Sequence, residues 1–116
     1  PLIFNWDTTY DIMPLKVDVP RYRNFVIRKD AFDVFAGNPV TIPLLTELNP
    51  DIVVVYGVST NVCVDFAVQG LAKRVKQVYV LSDGIKELPR IPLPYEQWEK
   101  LGVKMISSVD LYNSFK

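Results

Sequence analysis

Histidine is missing from all 116 residues, which excludes every Ser–His or Cys–His catalytic pair and every His-ligated zinc site. Any catalysis must run on Cys, Lys, Asp, Glu, Tyr or backbone amides. A lone cysteine, Cys63, excludes an internal disulfide. An excess of one charge sign is lacking too: 13 Lys and Arg balance 13 Asp and Glu. The chain therefore offers no electrostatic reason to expect a nucleic-acid or membrane surface. No apolar run approaches the roughly 20 residues that span a bilayer, and no charged leader with an apolar stretch marks export. The expected setting is soluble and reducing, the cytoplasm, with a small molecule as partner, no nucleic acid and no membrane.

What is present suffices for one domain. Apolar residues make up 49% of the chain, and a chain of this size buries about two-thirds of its unfolded surface without disulfide or metal staples. The chain opens on Pro1 without an initiator Met, so the expectation is a single domain over 1–116, incomplete at its N-terminus.

Leu2 to Trp6 reads as a short strand ending in the turn-prone cluster Asp7 to Asp11. Residues 13 to 23, with Pro14 and Pro20, read as irregular, with at most a brief extended segment. Phe25 to Arg28 is β-branched and aromatic, a strand closed by Lys29 and Asp30. Gly37-Asn38-Pro39 marks a turn, and Thr41 is positioned to cap a helix that runs to Leu48. Ile52 to Tyr56 is continuously apolar, the pattern of a parallel strand covered on both faces. Cys63, Phe66, Ala67, Gly70 and Leu71 recur at helical spacing. Val78 to Leu81 is a further strand, closed by Ser82-Asp83-Gly84. A loop with Pro89, Pro92 and Pro94 precedes a helix from Tyr95 to Leu101 that stops at Gly102, and Val103 to Ile106 is the last strand before a short tail.

Strand and helix alternate from residue 24 onward. The fold class is α/β: a three-layer α/β/α arrangement, Rossmann-like, with a mostly parallel sheet. In such sheets ligands bind beyond the carboxyl ends of the strands, which here means Lys29, Gly57 to Cys63, and Ser82 to Gly84.

Cys63 falls where a strand turns into a helix. With Thr60 as the capping residue, Cys63 takes the third helical position, and the amides of a first turn together with a nearby ammonium favour a nucleophilic thiolate. The same amides can stabilise the oxyanion that forms when sulfur attacks a carbonyl. On residue chemistry alone, Cys63 reads more readily as a small buried hydrophobe beside Phe66 and Ala67, and Lys29 as a solvated charge closing a strand. Both gain weight from standing at strand ends on one edge of a sheet.

Val26-Ile27-Arg28-Lys29, Phe32 and Phe35, Gly57-Val58-Ser59-Thr60-Asn61-Val62-Cys63-Val64, and Leu81-Ser82-Asp83 resemble the isochorismatase-like cysteine hydrolases, which include nicotinamidases and N-carbamoylsarcosine amidases. The resemblance spans about residues 24 to 107. It implies a Cys-Lys-Asp triad with Cys63 as nucleophile and Lys29 polarising the site. It also implies a non-proline cis peptide between Val58 and Ser59 that aims the Ser59 and Cys63 amides at the substrate oxygen, with Thr60 capping the turn. Asp83 then organises its loop rather than reacting. Phe32 and Phe35, with Trp6, are candidates to line an apolar pocket for a flat substrate, although aromatics at a strand end also serve as core.

Two departures stand out. The family's aspartate belongs to an Asp-x-Gln-x-Asp-Phe-like motif on an N-terminal strand well ahead of the lysine. Asp7 to Ile12 only mimics the spacing of its acids, with too few residues before Lys29 for the usual intervening helix and strand. A separate N-terminal segment is the expected source of the general base, with Asp7 the second candidate. The lack of His removes the metal-site histidines of metal-dependent nicotinamidases, so the resemblance points to a relative with no metal and no cofactor.

The implied reaction is hydrolysis of a small amide or related C–N bond through a thioester on Cys63. Retention of the thiol favours amide over vinyl-ether chemistry. The alternative is a non-catalytic α/β binding module or an inactive scaffold of the same family, to which Asp83 and Lys86 near a strand end lend some support. Such a module predicts a Cys63 inert to alkylation at neutral pH, whereas the hydrolase predicts rapid modification. The resemblance implies a homo-oligomer, and the Pro-rich loop with Tyr95, Trp98, Tyr112 and Phe115 supplies candidates for subunit packing.

Overall fold

The computed structural model describes residues 1–115, and the chain divides into two compact units, Pro1–Pro50 and Asp51 onward. Both are α/β with parallel strands, in keeping with the alternation read from the sequence. No helix among the described residues is long and apolar enough to cross a membrane.

In the first unit, β1 (Leu2–Phe4) pairs in parallel with β2 (Phe25–Ile27), in the register Leu2 with Phe25 and Phe4 with Ile27. A parallel pair needs a crossover, and here residues 13 to 23 supply it as a helix instead of the irregular segment expected. This crossover is α1 (Ile12–Asp18), continued by a 3-10 turn at Val19–Arg21. The prolines misled because both stand where a helix tolerates them: Pro14 in the first turn of α1, Pro20 near the start of the 3-10 turn. Leu15 and Val19, four residues apart, share one face and are buried against Phe4, Val40 and Leu44.

Two short helices follow. In α2 (Val34–Gly37), the Asp33 carboxylate caps the start by accepting from the Phe35 amide at 2.9 Å. The next, α3 (Thr41–Leu48), ends at Asn49, whose φ of 44° places it in the left-handed region just before Pro50. Thr41 does not cap α3. The capping position is Val40, and the Thr41 hydroxyl donates to the carbonyls of Val34 (2.7 Å) and Asn38 (3.1 Å), tying α2 to α3. Asn38, fully buried, does the organising work of this turn. Its Nδ2 donates to the carbonyls of Phe4 (3.2 Å) and Arg28 (2.8 Å), at the ends of both strands, while its Oδ1 accepts from the Val40 amide at 2.9 Å.

The second unit holds β3 (Ile52–Val58), β4 (Gln77–Lys86) and β5 (Lys104–Ile106), all parallel, with β4 in the middle. Val78 and Val80 of β4 are buried, as a middle strand requires. β4 does not close at Ser82-Asp83-Gly84. Its pairing with β3 breaks after Val55 with Val80 and resumes at Gly57 with Ile85, so that extra residues of β4 bulge out between. Gly84 is needed there, because a Cβ on it would stand 3.0 Å from the Cβ of Tyr56 and 3.1 Å from that of Leu81.

The helix after β3, α4 (Asp65–Ala72), buries Val68, flanked by Val64 and Val75, whereas Phe66 is 45% exposed. The apolar stripe expected through Cys63 and Phe66 is thus set on the wrong phase: the buried face runs at the same spacing one residue later. In α5 (Tyr95–Lys100), Trp98 is buried and its indole N–H donates to Asp65 Oδ1 at 2.7 Å, so it belongs to this core and not to a subunit surface. Gly102, with φ of 81°, ends that helix. The expected tail is helical as well: α6 (Ser108–Ser114) starts at Ser107, whose hydroxyl accepts from the Asp110 amide at 3.1 Å.

Candidate active site

β3 leads into a tight turn. Gly57 takes φ of 132°, a conformation that side-chain-bearing residues rarely adopt, and the Val58–Ser59 peptide bond is cis. Ser59 then caps the segment Thr60–Val64 through its backbone: its carbonyl accepts from both the Val62 and Val64 amides, each at 3.1 Å. The second bond spans five residues, so this is a turn of π-helix before α4 begins, a feature that recurs at functional sites.

Thr60 is therefore not the cap that the sequence suggests. It is the first residue inside the turn, 0% exposed, and its hydroxyl has no hydrogen-bond partner among the described residues. Cys63 consequently lies one place further along the turn than expected, and it is half-buried. Val58 is exposed and Ser59 half-buried.

Asn61 is a site residue that sequence reasoning passed over. It is 8% exposed, its Nδ2 donates to the carbonyls of Leu88 (2.8 Å) and Ile91 (3.0 Å), and its Oδ1 accepts from the Leu88 amide at 3.0 Å. The only signal in the sequence was a polar amide directly ahead of the apolar run Val62-Cys63-Val64. Asp65, at the start of α4, accepts from the Gln69 side chain at 3.0 Å as well as from Trp98.

Asp83 lies in the bulged part of β4, where its carboxylate accepts from both the hydroxyl and the amide (2.9 Å) of Ser108, at the head of α6. Those bonds, the hydroxyl's foremost, hold its carboxyl below the usual carboxylate range. Asp83 organises the chain here.

In the first unit, Lys29 follows the end of β2. Its ammonium donates to the carbonyls of Ala31 (2.9 Å) and Phe32 (3.1 Å), and it lines a hollow of about 460 Å³ with Asp30, Ala31 and Phe32. Phe32 is 68% exposed at this hollow. Phe35 is not part of the lining: it sits on α2, where its amide is engaged by Asp33. Gly37 packs under Lys29, with its carbonyl accepting from the Asp30 amide at 3.2 Å. Asp7 is exposed in the turn after β1, and Thr8 donates to its Oδ1 at 3.4 Å. Since Phe4 is in register with Ile27, Asp7 and Lys29 both lie beyond the carboxyl edge of one parallel pair. At this edge Arg28 also donates to Asn5 Oδ1 at 2.9 Å.

Each unit thus presents chemistry at the carboxyl ends of its strands, where parallel sheets bind ligands: a carboxylate and an ammonium in one, a thiol at a π-turn in the other. Among the described residues no group of three or more Cys, Asp or Glu is placed to hold a metal ion.

The isochorismatase domain model matches residues 11–104. No curated protein matches the sequence significantly. Among solved structures, the chain is similar to an isochorismatase-like hydrolase from Alkaliphilus metalliredigens, with 26% identity and a TM-score of 0.59 over 82% of this chain and 53% of that one. It is also similar to a nicotinamidase from Bacillus subtilis (16% identity, TM-score 0.58, 85% of this chain and 56% of that one). A nicotinamidase from Staphylococcus aureus aligns at 20% identity and a TM-score of 0.58, over 90% of this chain and 69% of that one. At these identities the nicotinamidases speak for the fold alone. The chain spans a little over half the length of the first two structures.

Proposed function

The chain belongs to the isochorismatase family, and from that premise we propose that it serves a cysteine-dependent hydrolase that cleaves a small amide or related C–N bond. The observation that carries this reading is the π-turn at the end of β3, inside the matched region, with Cys63 half-buried on it. The likeness to solved structures of an isochorismatase-like hydrolase and of nicotinamidases supports a hydrolase of this class.

In the proposed reaction, Cys63 Sγ attacks the substrate carbonyl carbon and the developing oxyanion is met by the Ser59 amide. The C–N bond then breaks, the nitrogen leaves with a proton, and water hydrolyses the thioester to acid and free thiol. In the triad that the family resemblance implies, Lys29 is the residue that polarises the site. The proton shuttle is an aspartate, supplied by a separate N-terminal segment, with Asp7, beyond the same sheet edge as Lys29, as the second candidate.

The test is a panel of small amides, nicotinamide included, assayed with the native chain and with Cys63→Ala, alongside iodoacetamide labelling of Cys63 at neutral pH. Turnover of one amide, lost in the variant, and labelling faster than that of free cysteine support the reading. Turnover unchanged in Cys63→Ala overturns it. A slow-reacting thiol with no turnover leaves the inactive family scaffold in its place.

A further inference from the structure

The Asn61 side chain is a polar link between the cysteine turn and a distant, stiff piece of chain. Among the described residues, no backbone hydrogen bond outside regular elements joins the Thr60–Val64 turn to the segment from Leu88 to Ile91. The Asn61 side chain makes that connection, across 27 and 30 residues of sequence, with both amide protons and the amide oxygen engaged. An amide buried to this degree holds its partners firmly, because breaking any of the three bonds strands a polar group away from water.

The far side of the link is conformationally restricted. Pro89, Pro92 and Pro94 fix three φ angles, and Arg90 is held at φ of 68°. The near side is not self-sufficient: in the π-turn two amides share one carbonyl, that of Ser59. A stiff segment clamped to an irregular turn sets the geometry of the turn.

We infer that Asn61 is a positioning residue, which fixes the Thr60–Val64 turn against the Leu88–Ile91 segment and so sets the reactivity of Cys63 two residues on. The inference rests on the proposed role of Cys63 as nucleophile.

The experiment measures the rate of iodoacetamide labelling of Cys63 against pH, in the folded native chain and in Asn61→Ala, with hydrogen exchange followed at the Leu88 amide. Expected are a labelling rate lower by about tenfold or more at neutral pH, a displaced pH profile, and faster exchange at Leu88 in the variant. A merely structural asparagine would lower the melting temperature and leave the pH profile of the folded protein where it was, which overturns the inference. Asn61→Ser, which keeps a small polar group too short to reach both carbonyls, gives the same reading should the alanine variant not fold. A native Cys63 that labels no faster than free cysteine removes both the proposed function and this inference, whereas a fast native thiol left unchanged in both variants removes this inference alone.

Discussion

A Cβ built on Gly37 would stand 2.8 Å from the Cβ of Lys29 and 3.0 Å from the Ala31 amide nitrogen. The glycine at the end of α2 is what lets the chain around Lys29 close onto that helix. Neither neighbour is the yielding tip of a long side chain, so Gly37→Ala forces the loop to shift. The expected cost is about 1–3 kcal/mol, the usual range for overpacking, read from the urea midpoint. An unaltered midpoint would show that the loop accommodates the methyl group.

The Lys29 side chain is exposed on the surface of its own unit. Lys29→Ala should leave stability within about 0.5 kcal/mol of native while lowering amide turnover by about a hundredfold, the scale of losing one electrostatic stabiliser. Lys29→Arg should recover little, because a planar fork does not reproduce the ammonium's bonds to the Ala31 and Phe32 carbonyls. Full activity in either variant would remove Lys29 from the reaction.

Thr60 makes the opposite prediction. Its hydroxyl is buried without a partner among the described residues, so Thr60→Val, which keeps the shape and removes the hydroxyl, should raise stability by about 1 kcal/mol. Thermal unfolding measures this. A variant that melts lower would show that the hydroxyl has a compensating partner. Turnover that falls while stability rises would place the hydroxyl in the chemistry.

Asp83 gives a pH dependence of known sign. Ser108 holds its folded carboxyl below the ordinary value, so the unfolded chain binds the proton more readily. The resulting stability is present above the ordinary carboxylate value and is lost as pH falls through the depressed folded one. Ser108→Ala should therefore be less stable than native at neutral pH, with the gap closing in acid. Urea midpoints at both pH values test this, and a gap undiminished in acid refutes it.

The parts of the fold that could be read in advance are those where local chemistry and tertiary packing agree. β2 and β3 are short runs of β-branched or apolar residues, and α5 is bounded by Pro94 and Gly102. α1 was obscured because prolines near helix starts look like breakers until the crossover demanded by the parallel β1–β2 pair is known. α6 was hidden because its capping contacts come from Ser107 and from Asp83, far back in the sequence. The cysteine turn was legible as a motif, yet its cap was misplaced by one residue, since a backbone carbonyl rather than a hydroxyl gathers the amides. The bridging contacts of Asn38 and Asn61 were not legible for one reason: their partners lie up to 34 residues away, and a buried amide carries no periodic signature.

The Lys29 ammonium is clasped by peptide oxygens that follow it directly in the chain. The point charge therefore travels with its own loop, and the field it casts is a property of how residues 29–33 curl. Drift at Ala31 or Asp33 could dim that field while the lysine itself stayed unaltered, so members of this lineage could lose or retune their chemistry with every reactive side chain still in place.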